Sequence, residues 1–161
     1  MAEPIGYLLT WTCYGTWLHG DERSAVDEDH NLPGSPFLPP DETRLLHEVR
    51  TMHHRPVRLT QTARRVVIDA ITGHCGVRDW TLHAVNVRTN HVHVVLSCGV
   101  HPKEAMKQFK AWGTRRLREA GHVGADEPVW TEGGSRRWLW DADSLRRAIE
   151  YVSEYQGDEL P

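Results

Sequence analysis

Trp80-Thr-Leu-His-Ala-Val-Asn-Val-Arg-Thr-Asn-His-Val-His-Val-Val-Leu-Ser97 is the stretch that decides the fold. Residues 80–88 alternate between apolar and polar side chains, which is the period of a half-buried strand. Thr89-Asn90 supplies a tight turn, and 91–97 continues as a second strand, so the segment predicts a β-hairpin. Upstream, Thr60 is a capping residue, and Ala63, Val66, Val67, Ala70 and Ile71 recur at helical spacing up to Gly73. Downstream, Pro102 opens a second amphipathic helix. Met106, Phe109, Gly113, Leu117 and Ala120 form its core stripe, and Gly121 ends it.

The same reading extends to both ends of the chain. Tyr7 to Leu18 is rich in aromatic and β-favouring residues and predicts a long central first strand, with Gly15 at a bulge. After the Gly133-Gly134 turn, Ser135 to Trp140 predicts a short strand. A last helix starts near Ser144, buries Leu145, Ala148, Ile149 and Val152, and closes at Gly157. Between them, residues 20–56 are acidic and hold Pro33, Pro36, Pro39 and Pro40, with a short helix at 41–49. This is read as a surface insertion within one domain spanning 1–161. The order β, α, β, β, α, β, α predicts an α+β fold, one antiparallel sheet with helices mainly on one face.

With 161 residues, 39% hydrophobic and 25% charged, the chain has ordinary globular proportions, which exclude wholesale disorder and fibrous classes. No apolar run approaches the roughly 20 residues of a membrane helix, and the N-terminus shows no signal peptide, so a cytoplasmic location is expected. Cys13, Cys75 and Cys98 lack C-x-x-C spacing, which argues against a disulfide framework or a thiolate zinc site. The net charge of −3 conceals an asymmetry: residues 101–147 carry ten Lys/Arg against seven Asp/Glu. Within that region Lys103, Lys107, Lys110, Arg115, Arg116 and Arg118 can neutralise phosphates. Arg136 and Arg137 beside Trp138 are the best basic–aromatic group for unpaired bases, with Trp112 and Trp140 as further stacking candidates. A solvated helix face and core tryptophans would use the same residues.

His91 and His93 carry the strongest chemical signal. Residues i and i+2 of a strand share a face, so the two imidazoles stand where one metal ion can bridge them, with Val92 opposite. Solvated surface histidines are the plain alternative, but a strand serving burial alone would carry Val or Ile there. In the last helix Tyr151 and Tyr155 lie at i and i+4. A phenol, with a pKa of about 10, is a weak nucleophile until its electrophile is polarised. A metal on His91 and His93 would do that to a phosphodiester. His83, on the preceding strand, reads either as an outer support for this pair or as cross-strand packing. His47, His53 and His54 read as surface residues.

Asn86-Val-Arg-Thr-Asn-His-Val-His-Val-Val-Leu-Ser97, the Lys/Arg-rich helix after it, and Ile149-Glu-Tyr-Val-Ser-Glu-Tyr-Gln156 resemble the single-tyrosine HUH transposases of small insertion sequences and their relatives, the REP-associated tyrosine transposases. Tyr7 to Trp17 looks like the opening strand of that group. The resemblance implies a ferredoxin-like domain with the histidine pair on its central strand and Asn90 at the adjoining turn. It implies a divalent cation, Mg²⁺ or Mn²⁺, on His91 and His93. It also implies attack by Tyr151 on single-stranded DNA beside hairpins, leaving a 5′-phosphotyrosine and a free 3′-OH that later rejoins strands. A homodimer is implied, with active sites shared between subunits. The family's third ligand is an amide four residues after the tyrosine, a position held here by Tyr155. Gln156, one residue later, and Glu154, three residues after Tyr151, are the two candidates, and Tyr155 is the lesser candidate for nucleophile. The displaced amide motivates a second reading, a domesticated protein that binds DNA hairpins without cutting. A third is a metal-dependent phosphoesterase that uses water.

Overall fold

A computed structural model of the chain describes residues 3–16 and 54–154. The expected short helix at 41–49, Tyr155, Gln156 and almost all of the 20–56 insertion lie outside these residues. The elements run β1 (Gly6–Thr12), α1 (Gln61–Arg78), β2 (Thr81–Val87), β3 (His91–Ser97), α2 (Pro102–Glu119), β4 (Ser135–Leu139) and α3 (Ala142–Glu154). The four strands form one antiparallel sheet in the order β2-β3-β1-β4. Each helical crossover therefore skips a strand: α1 joins β1 to β2 around β3, and α2 joins β3 to β4 around β1. This is the split βαβ arrangement of a ferredoxin-like α+β fold, with α3 added at the end.

Local chemistry sets the element ends. Thr60 caps α1 by accepting the Ala63 N–H, and the helix passes Gly73 to stop at Asp79, whose φ of 59° is left-handed. His101 caps α2 by accepting the Lys103 N–H, and Gly121, at φ 78°, follows its end. The ladder of β1 stops at Thr12, short of the expected Leu18. Cys13 makes one isolated bridge to Trp130, and Gly15 at φ 84° sits in a turn, not a bulge. β4 ends one residue before Trp140.

The main core lies between one sheet face and the α1–α2 pair. Leu9 and Trp11 of β1 and Val92, Val94 and Leu96 of β3 meet Val67 and Ile71 of α1 and Phe109 and Leu117 of α2, all essentially inaccessible to water. Trp11 stacks on Phe109 and meets Trp130 edge-on, with centroids 6.2 and 6.1 Å apart. The two helices expected to carry the core do so, while α3 packs on the opposite face. There Ala148 and Val152, flanked by Leu145 and Ile149, cover Leu8, Ala84, Val95 and Leu139. No helix among the described residues is long and apolar enough to cross a membrane.

One glycine fixes the approach of β4. A Cβ on Gly134, at φ 148°, would fall 2.7 Å from the Thr10 carbonyl oxygen and 2.9 Å from Met106 Sδ. Neither the strand backbone nor the core methionine can yield without disturbing β1. Gly134→Ala is expected to cost about 2–3 kcal/mol of stability, read as a fall of roughly 5–10 °C in thermal midpoint.

Candidate active site

The face covered by α3 is divided in two. In antiparallel pairs, directly opposed residues share a face. The row Ala84, Val95, Leu8 and Arg137 is apolar apart from its β4 end and lies under α3. The next row is Asn86, His93, Thr10 and Ser135, and beyond it His91 stands opposite Thr12. A polar half-floor thus adjoins the apolar half that α3 covers.

His91 and His93 stand side by side on this floor as their i, i+2 spacing predicts, with ring centroids 4.8 Å apart and planes perpendicular. Each ring is anchored through Nδ1. The Asn90 carboxamide oxygen lies 2.7 Å from His91 Nδ1 and accepts its proton, which leaves Nε2 as the unprotonated nitrogen of the neutral ring. Thr10 Oγ1 is 2.9 Å from His93 Nδ1. His93 is buried, and its pKa is lowered to about 3 by desolvation first, then by His91 and Arg88. At neutral pH His93 is therefore a neutral ligand-type imidazole.

Tyr151 is the only large aromatic side chain of α3 among the described residues, and the helix brings its ring edge-on to His93, 5.7 Å between centroids. Tyr151 is 46% exposed at the edge of this floor. The helix is pinned beside it, since Asn86 Nδ2 donates to the Val152 carbonyl at 3.0 Å. Among the described residues no three His, Cys, Asp or Glu side chains form a group able to hold a metal, so Glu154 is not gathered with the histidines.

Other expected residues are placed differently. His83 is not an outer support of the pair. It falls at a register shift between Leu82 and Ala84 and bonds Ser97 Oγ at 2.8 Å, at the opposite end of β3. Lys110 turns inward, donating to the Thr131 carbonyl at 3.0 Å and to that of Gly133, which ties α2 to the loop before β4. Arg115 and Arg116 reach Glu119 and lie over Trp112, at 5.2 and 5.7 Å from its ring centre. Lys103 and Lys107 are exposed on α2. All five residues belong to the helix on the far side of the sheet from the histidines. Arg136, opposite Leu9, is buried on that far side, and Trp138 packs there against Tyr7 and His101. Of the expected DNA contacts, Arg137 shares the face of His91 and His93.

Thr10 and Asn86 were not singled out as site residues by sequence. The hairpin turn pairs 86 with 93, so a lone carboxamide in an apolar strand was a usable signal. Thr10 had none, because its pairing with β3 is non-local. Acid should expose the buried ring of His93. Unfolding raises its pKa toward 6.5, so the unfolded state binds a proton that the folded state refuses, and stability falls as pH drops below 6.5 until about 3. For the metal-free protein we expect a loss of up to about 1.4 kcal/mol per pH unit in that window. His93→Gln should flatten the slope in urea titrations at pH 6, 5 and 4.

No curated protein sequence matches the chain. Among solved structures, a REP-associated tyrosine transposase bound to a REP hairpin is similar at 11% identity and TM-score 0.53, covering 94% of this chain and 67% of that one. A candidate transposase from Deinococcus radiodurans R1 is similar at 16% identity and TM-score 0.50, covering 97% and 93%. At such identities these two likenesses speak for the fold. The family profile described as "Transposase IS200 like" matches residues 43–140, a span that contains the histidine pair and ends before Tyr151. That span is more than half of the chain, which therefore belongs to the IS200-like transposase family.

Proposed function

We propose that this transposase cuts single-stranded DNA beside hairpins with Tyr151 as nucleophile, and rejoins strands from the resulting 5′-phosphotyrosine. The observation that carries this reading is the grouping of His91, His93 and Tyr151 on one side of the sheet, with ring separations of 4.8 and 5.7 Å within a single chain. The likeness to a hairpin-bound transposase supports the substrate class.

The residues fit a divalent cation, Mg²⁺ or Mn²⁺. Each imidazole has Nδ1 engaged by an oxygen atom, which suits a cation at Nε2, and a neutral His93 does not repel the ion. His91 and His93 would hold it, with Gln156 or Glu154 as third protein ligand. A bound cation supplies Lewis-acid polarisation of the scissile phosphate. The chain's own residues do the rest. Asn90 holds His91 in the binding tautomer, Thr10 orients the His93 ring, and Arg137 receives the backbone. The Tyr151 oxygen forms a bond to phosphorus as the P–O3′ bond breaks, the phenol losing its proton and the 3′ oxygen gaining one. One phosphodiester replaces another, so the step reverses when a 3′-OH attacks, without a nucleotide cofactor. Within one chain the tyrosine already faces its own histidines, so cleavage in a homodimer would not require the partner's helix.

The test is incubation of the protein with Mn²⁺ and hairpin-flanked single strands of varied sequence, followed by mass spectrometry of tyrosine-linked products. A nucleotide on the peptide containing Tyr151 is expected. A hairpin binder that no longer cuts is the second reading, motivated by Tyr155 standing where the family's amide ligand is expected. Tight hairpin binding with no adduct under Mg²⁺, Mn²⁺ or Ni²⁺ would establish it instead.

A further inference from the structure

We infer that Asn86 is a positioning residue for the nucleophile, a hydrogen-bonded latch that sets where Tyr151 stands over His93; its catalytic consequence rests on the reading of Tyr151 proposed above. Beside the Tyr151–His93 ring contact, α3 rests on an apolar seat on the sheet. Leu145, Ala148, Ile149 and Val152 lie on Leu8, Ala84, Val95 and Leu139. Apolar contact is non-directional, and small residues such as Ala84 and Ala148 offer little resistance to sliding. A helix that slips by one residue moves 1.5 Å along its axis and turns by about 100°, which would carry the Tyr151 ring off His93 entirely.

A directional contact removes that freedom, and Asn86 supplies it at the right place. Its Nδ2 donates at 3.0 Å to the carbonyl of Val152, the residue after Tyr151. Asn86 is also the cross-strand partner of His93. One residue pair of the hairpin therefore holds both sides of the site, with His93 as ligand-type imidazole and Asn86 fixing the helix turn that presents the phenol. The strand register is set by the ladder, so the separation between the two rings is referred to the rigid sheet and not to the softer apolar seat of α3.

The test separates this latch from the chemistry. The protein is labelled with 3-fluorotyrosine, and the Tyr151 resonance is identified by its absence in Tyr151→Phe. In the metal-free, DNA-free parent its shift reports the edge-on His93 ring. In Asn86→Leu, and in Asn86→Asp, which keeps the shape but cannot donate, the resonance should move toward its position in unfolded protein while that of Tyr7 stays. With Mn²⁺ and saturating single strand, adduct formation should slow tenfold or more in Asn86→Leu with strand affinity within twofold. Asn86→Gln, which retains a donor, should recover part of the rate. An unmoved Tyr151 resonance in both donor-less variants overturns the latch, as does an unchanged adduct rate in a parent that forms adduct. A resonance that moves in a parent forming no adduct sinks the nucleophile reading and leaves the latch standing. Should Asn86→Leu fail to fold, the Asp and Gln pair carries the comparison.

Discussion

Tyr151→Phe is expected to abolish the covalent protein–DNA adduct, a loss on the order of a thousandfold or more, while hairpin affinity stays within twofold. The substitution removes one oxygen and keeps the ring, so the edge-on contact with His93 at 5.7 Å survives. Removing a nucleophile, by contrast, removes a bond that forms only in the reaction, and such losses reach several orders of magnitude. Gel-shifted adduct after denaturation, measured across a time course, checks the rate, and filter binding of a hairpin checks the affinity. Tyr155→Phe serves as control and should leave the adduct in place. The reverse pattern, adduct lost in Tyr155→Phe and kept in Tyr151→Phe, would move the nucleophile one turn along.

The two parts of this site differ in how far sequence could show them. The histidine pair was legible because a strand has a strict period of two, so H-x-H inside a hairpin fixes a common face without knowledge of anything else. Tyr151 was legible as a candidate, yet nothing local said that it would meet His93. An amphipathic stripe tells which side of a helix is buried; it does not tell which face of the sheet receives it. That is why α3 turned out to lie opposite α1 and α2. Covering both sheet faces also explains Arg136. Once both faces of β4 are covered, alternation in Ser135–Leu139 no longer separates inside from outside, and a residue read as a DNA contact is buried opposite Leu9. Lys110 turns to the loop before β4 for a related reason: carbonyls brought near by the fold compete for its ammonium. Helix caps, by contrast, depend on three or four neighbouring residues, and Thr60 behaved as its sequence context indicated.

His93→Ala and His91→Ala are expected to lose the adduct to a similar degree, about a hundredfold or more, for one shared reason and with different structural side effects. Each removes one of the two adjacent imidazoles proposed to hold the cation, so Mn²⁺ affinity should collapse in both, as titration with a fluorescent competitor would show. Their stabilities should part. His93 is buried and bonded to Thr10 Oγ1, so its loss leaves a cavity beside Tyr151 and a hydroxyl without its ring partner. His91 is less buried, and its removal should cost less in thermal midpoint. Equal catalytic loss with unequal stability loss is what a metal role predicts, whereas a packing role would make the two losses track each other. Thr10 refines the test. Thr10→Val keeps the volume and deletes the oxygen that orients His93, so cation affinity should fall by about 10–100-fold, with recovery at high Mn²⁺ and in Thr10→Ser. Adduct that forms at the parent rate in both alanine variants, in the presence of a strong chelator, would leave the tyrosine in place and strip the histidines of the cation.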